Sequence, residues 1–138
     1  MDASWVFRLR QQVAHLGLDA VGISEAVFLE QEARYLEHWL NRNRHGRMAY
    51  MANWFDLRTD PRRLLPGARS VLSVCLNYTP AYRQPESPRV GKIARYAFGT
   101  DYHYVLKARL QALVSWIEQT VAQPFEYKIC VDSAPVLD

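Results

Sequence analysis

Apolar residues recur along this chain at two spacings, and each spacing predicts its own kind of element. Trp5, Leu9, Val13 and Leu16 fall on one helical face, with Ser4 as the expected N-cap and Gly17 as the residue that ends the helix. A second helix starts near Phe28, repeats through Ala33, Leu36 and Leu40, and runs out between Asn43 and Gly46. The longest helix is opened by Thr100 and Asp101 and carries Tyr102, Leu106, Leu110, Leu113 and Ile117 at three- and four-residue steps. Residues 20–23 and 70–78 are short apolar runs, expected as buried strands. Residues 92–96 make a third expected strand and 125–131 a fourth. In the last, Phe125, Tyr127, Ile129 and Val131 alternate with Glu126, Lys128, Cys130 and Asp132.

Between these elements, residues 48–55 are dense in large apolar groups and are expected to be core. Prolines and a glycine mark 57–68 as a loop with at most one helical turn, and Pro80, Pro85 and Pro88 mark 79–91 as an exposed loop. The sum is one α/β (α+β) domain over residues 1–138, a sheet flanked by helices. No element follows the last strand, so the chain is expected to be part of a longer one.

Composition narrows the picture only a little. An apolar fraction of 49% with 22% charged residues excludes a disordered chain. A net charge of +3 carries no nucleic-acid signal by itself, and the arginines between Arg34 and Arg69 read as a solvated face. Cys75 and Cys130 lie far apart in apolar runs and read as small buried hydrophobes of a reducing compartment. There is no apolar run of ~18 residues to span a membrane, and a cytoplasmic location is expected.

Candidate chemistry gathers at two places. Arg95, Tyr96, Asp101, Tyr102 and His103 surround the predicted junction between a strand end and a helix N-terminus, where backbone N–H groups and the helix dipole converge. Asp101 also suits a plain N-cap, and His103 in the first turn suits a neutral, hydrogen-bonding imidazole. Asp132 closes the last predicted strand ahead of Ser133 and Pro135. A carboxylate so placed can stay protonated and donate a proton, or can serve only as a turn residue. His15, His38 and His45 lack metal-ligand spacing, so no metal site is expected. No G-x-G-x-x-G, Walker or C-x-x-C motif occurs.

Four segments together resemble the epoxyqueuosine reductase family: His45-Gly-Arg-Met-Ala-Tyr-Met51, Arg58-Thr-Asp-Pro-Arg-Arg-Leu-Leu-Pro-Gly-Ala-Arg-Ser70, Arg95-Tyr-Ala-Phe-Gly-Thr-Asp-Tyr-His103 and Val131-Asp-Ser-Ala-Pro-Val-Leu137. The resemblance covers essentially the whole chain. It implies a mixed or antiparallel sheet of nitroreductase-like, corrinoid-binding type, truncated here. The implied reaction is reduction of epoxyqueuosine to queuosine at the wobble position of tRNA, dependent on cobalamin and two [4Fe-4S] clusters. Asp132 matches the family's proton donor. Arg58 matches an arginine that contacts the corrin, where a guanidinium suits propionamide oxygens. Ala94 stands where some members carry a cysteine near the cobalt, a departure that removes any thiol role at that position. Arg95, Tyr96, Asp101 and His103 are assigned to the same cofactor pocket.

The family's cluster-binding cysteine runs are absent from this chain, which is therefore expected to be inactive alone. The resemblance further implies an external electron donor and a monomer. Two other readings stay open: a corrinoid-processing or flavin-dependent reductase, and a non-catalytic RNA-binding module. The last would use the arginines of 42–69 and needs exposed aromatics, whereas Tyr50, Trp54 and Phe55 read as core.

Overall fold

The computed structural model describes residues 3–79, 83–132 and 134–136. Pro80, Ser133 and Leu137, which figure in the sequence reading, lie outside the described residues. In chain order the elements are α1 (Ala3–His15), β1 (Ala20–Glu25), α2 (Glu30–Asn41), α3 (Phe55–Thr59), α4 (Pro61–Leu64), β2 (Ser70–Cys75) and α5 (Tyr102–Val121), with 3-10 turns at Ala49–Met51 and Arg95–Ala97. They belong to two compact units. The first comprises Met1–Gly22 and Ser73–Gln123, the second Ile23–Leu72 and Pro124–Asp138.

The first unit is organised by its two long helices. Its buried apolar residues are Leu9 and Val13 of α1, Leu18, and Leu113 of α5. The rest of the predicted α5 stripe, Tyr102, Leu106, Leu110 and Ile117, is half-buried. Helix α1 begins at Ala3, so Ser4 sits inside its first turn instead of capping it. It stops where expected: Gly17 has φ +71°, a conformation that side chains resist. The Arg109 guanidinium of α5 donates to the Gly17 carbonyl, and a Cβ at Gly17 would come within 3.2 Å of that group.

Strands β1 and β2 pair antiparallel. Asp19 N–H donates to the Cys75 carbonyl (2.9 Å), and Ala26 N–H to that of Arg69 (3.0 Å). The α+β class and antiparallel pairing are as anticipated, but both strands are at most half-buried, and Cys75 is exposed. Strand β2 ends at Cys75, short of residue 78, because side-chain oxygens take the next backbone donors. The Asp19 carboxylate accepts from Asn77 N–H (2.6 Å), and the Asn77 side chain accepts from Thr79 N–H (2.9 Å).

The third and fourth expected strands are absent among the described residues. Around Ile93 a side chain replaces the strand partner: the Gln84 amide accepts from Ile93 N–H (2.8 Å) and donates to its carbonyl (2.5 Å). Arg95–Ala97 then tightens into a 3-10 turn. Residues 125–131 join no ladder, although their alternation survives in part. Phe125 and Tyr127 keep their rings 6.0 Å apart, and Val131 is buried. As foreseen, the described residues of the loop near 83–91 are mostly exposed.

In the second unit Ala26, Ala33, Leu36 and Val131 form the buried apolar set, and Thr59 and Asp60 are buried polar residues. Leu29 N–H donates to the Thr59 carbonyl (2.8 Å), tying the start of α2 to the end of α3. Residues 57–68 hold more helix than expected. Pro61 occupies the first turn of α4, where its missing N–H costs nothing, and the Asp60 carboxylate caps that helix. Residues 48–55, expected as core, are largely surface: Tyr50 is 58% and Trp54 67% exposed.

Candidate functional site

The candidate residues fall into two groups, one in each unit. In the first unit, Ala94 has extended backbone and precedes the Arg95–Ala97 turn. Gly99 then reverses the chain with φ +87°, and Asp101 caps α5. Ala94, Arg95 and Tyr96 are exposed.

The rings of this segment stack in series. Tyr96 meets Tyr102 edge-on, with centroids 6.2 Å apart, and Tyr102 stacks on His103 at 4.2 Å. One carboxylate oxygen, Oδ1 of Asp101, accepts both from the His103 backbone N–H (2.9 Å) and from His103 Nδ1 (2.8 Å). Because a carboxylate only accepts, Nδ1 must carry hydrogen, which fixes the neutral tautomer with its lone pair on Nε2. The two bonds, led by the backbone one, hold the Asp101 carboxyl below the ordinary carboxylate range. So the N-cap anticipated at this junction is also the group that holds the histidine.

In the second unit Arg58 lies on α3 and is half-buried. Its Nε donates to the Asn53 carbonyl (3.2 Å) and its Nη2 to that of Tyr50 (3.4 Å). These bonds fix the guanidinium on the turn before α3 and, among the described residues, engage two of its five N–H donors. Asp60 accepts from Arg62 through both carboxylate oxygens, each at 2.8 Å, which lowers its pKa. Asp132 follows the buried Val131, is exposed, and has left-handed backbone with φ +52°. Aspartate tolerates that region better than most residues, and a non-glycine residue held there is a recurrent feature of functional turns.

The sequence reading puts Tyr50 and Trp54 in the core and gives His45 no role, and the structure differs on all three. Tyr50 and Trp54 were hidden in an apolar run that the chain leaves open to solvent. His45 is tilted against Trp39 at 5.8 Å, and its Nδ1 is buried without a hydrogen-bond partner. Its place beside Gly46 and the exposed arginines was the available signal. Among the described residues no group of three or more His, Cys, Asp or Glu could hold a metal ion. No helix among them is long and apolar enough to cross a membrane.

The family model for "Epoxyqueuosine reductase QueG, DUF1730" matches residues 58–133. The epoxyqueuosine reductase of Leadbetterella byssophila is 52% identical over 130 residues, which cover 94% of this chain and 42% of that protein. The chain thus spans about two-fifths of the length of this curated relative. The structure of epoxyqueuosine reductase from Streptococcus thermophilus superposes with a TM-score of 0.84 at 25% identity, over all of this chain and 37% of that one. An epoxyqueuosine reductase crystallised with an epoxyqueuosine-modified tRNA-Tyr stem loop matches in fold, with a TM-score of 0.78 at 23% identity, over 98% of this chain and 36% of that one. The matched stretch 58–133 contains Arg58, Ala94, the Arg95 to His103 cluster and Asp132, every residue assigned from the sequence to the cofactor pocket or the proton donor. The chain belongs to the epoxyqueuosine reductase QueG (DUF1730) family.

Proposed function

We propose that this chain contributes the cobalamin-binding catalytic part of an enzyme that reduces epoxyqueuosine to queuosine in tRNA, with Asp132 as proton donor. The family match across 58–133 is the observation that carries this reading, because it embraces the whole candidate set. The tRNA substrate is supported by the relative crystallised with a modified stem loop.

The residues present suit a corrinoid. Arg58 is held by two carbonyls yet keeps donors for propionamide oxygens. Ala94 is exposed and offers a methyl group where bulk would keep a flat macrocycle away. Bound cobalamin supplies the reducing chemistry at the epoxide-bearing ring. Iron–sulfur clusters do not suit this chain: its two cysteines, Cys75 and Cys130, cannot ligate even one four-iron cluster. Electrons must reach the site from beyond these residues.

Removing the epoxide oxygen as water and leaving an alkene consumes two electrons and two protons. Asp132 gives a proton to the departing oxygen, and its exposure lets the carboxylate recover one from solvent. Its backbone is left-handed, and the buried Val131 anchors the chain just before it.

The test is Asp132→Asn in the full-length protein, which keeps size and hydrogen-bonding shape but not acidity. Cobalamin absorbance retained through gel filtration should match the unaltered protein. Single-turnover conversion of epoxyqueuosine-containing tRNA should fall about 10²–10⁴-fold. Normal turnover by the variant removes Asp132 from the mechanism.

A further inference from the structure

We infer that the surface built by residues 42–63 of the second unit docks single-stranded RNA. Trp54 and Tyr50 serve as stacking platforms, and Arg42, Arg44 and Arg47 bind phosphates. The inference rests on the tRNA reading above and gives it a location.

Charge is the first argument. Residues 42–69 hold seven arginines and two aspartates, net +5, whereas the whole chain is +3; the remainder is therefore net −2. The net positive charge of this chain thus comes from one stretch, the footprint expected of a polyanion site. Arg62 is engaged by Asp60, and Arg63 lies 3.8 Å from Asp56. Arg42, Arg44 and Arg47 are exposed, and their side chains form no ion pair with a described residue.

Exposure is the second. Tyr50 and Trp54 are more than half exposed, and a shallow depression of about 590 Å³ lies along Trp54, Phe55, Asp56, Leu57 and Arg63. Trp54 also has φ +60° and ψ +33°, a left-handed backbone unfavourable to a bulky side chain. Burial does not explain a strained and exposed tryptophan; stacking on a base does, at about 1–3 kcal/mol per base.

Rigidity is the third. Successive backbone bonds link residues 42–53, among them Gly46 to Asn43, Met48 to His45 and Asn53 to Tyr50. Arg58 then clasps the Tyr50 and Asn53 carbonyls and donates its own N–H to the carbonyl of Trp54. The two aromatics and three arginines therefore ride on one continuous, internally bonded set of turns. Interleaved arginines make it a poor seat for an apolar protein face and a good one for bases and phosphates.

The experiment uses the full-length protein and a fluorescently labelled anticodon stem-loop RNA, with affinity read by anisotropy across a salt series. Trp54→Ala should weaken binding about 5–150-fold, the equivalent of one lost stack. Trp54→Phe should keep most of the affinity but lose much of the RNA-induced quenching of tryptophan fluorescence. Arg44→Gln with Arg47→Gln should flatten the slope of log affinity against log salt by about 1.4, at ~0.7 per lost phosphate contact. If Trp54→Ala does not fold, the phenylalanine variant and the arginine pair carry the test alone. Affinity, slope and quenching all unchanged in the variants would overturn the inference. So would a lowered melting temperature with unchanged RNA affinity, since the face would then be covered by protein. If the unaltered protein itself binds no RNA, the tRNA reading falls and this surface with it; binding that every variant retains sinks the surface alone.

Discussion

At the scale of single residues, one carboxylate oxygen does two jobs. Asp101 Oδ1 satisfies an orphan N–H at the start of α5 and orients the His103 ring against Tyr102. Its lowered pKa means that its contribution to stability is complete above the ordinary carboxylate value and disappears as pH falls through the lowered one. Asp101→Ala should therefore melt a few degrees below the unaltered protein at pH 7, with the gap closing below about pH 4. Thermal melts over a pH series check this, and a gap that persists in acid would assign the stabilisation to something other than the ionised cap. This residue was legible in sequence as a cap, because capping depends on its immediate neighbours. Tyr50 and Trp54 were not, because apolar character says that a side chain resists water and not whether anything covers it. Asp132 stood out by its place at a predicted strand end, but nothing in local spacing separates a turn aspartate from a proton donor; Arg58 could be picked out only through its motif.

Elements divide along the same line. Helices α1, α2 and α5 stood out because a helix closes its own hydrogen bonds and displays its apolar face at a fixed period. Strands need partners, and their pairing is not written in the strand itself. The Gln84 amide takes the place of a neighbour for Ile93, and β2 yields its continuation to two side-chain oxygens. Helix ends offer a sharper test. Ala122 leaves α5 with φ +51°, where a methyl group is unfavourable and glycine is at ease. Ala122→Gly should stabilise the protein by about 0.5–1 kcal/mol, seen as a higher urea midpoint at unchanged m-value. A lower midpoint would show that the methyl group is needed there.

For the molecule as a whole, stability rests on few residues in each unit. Leu9 is fully buried in the first, alongside Val13, Leu18 and Leu113. Leu9→Ala should cost about 2–5 kcal/mol, a large share of the ~5–15 kcal/mol that holds a typical domain together. Urea denaturation measures it, and a loss under 1 kcal/mol would mean that the site collapses around the smaller side chain. The Arg109 to Gly17 bond has a consequence for biosynthesis. It links two residues of the first unit that lie 92 apart in sequence, and the larger segment of the second unit, Ile23–Leu72, is translated in between. At about 5–20 residues per second, a ribosome needs roughly 5–20 s after releasing Gly17 before Arg109 exists to grip it. Throughout that interval the amphipathic α1 has no α5 to fold with. The nascent chain must keep Leu9 and Val13 out of trouble by other means, and a helix made long before α5 is secured only after it.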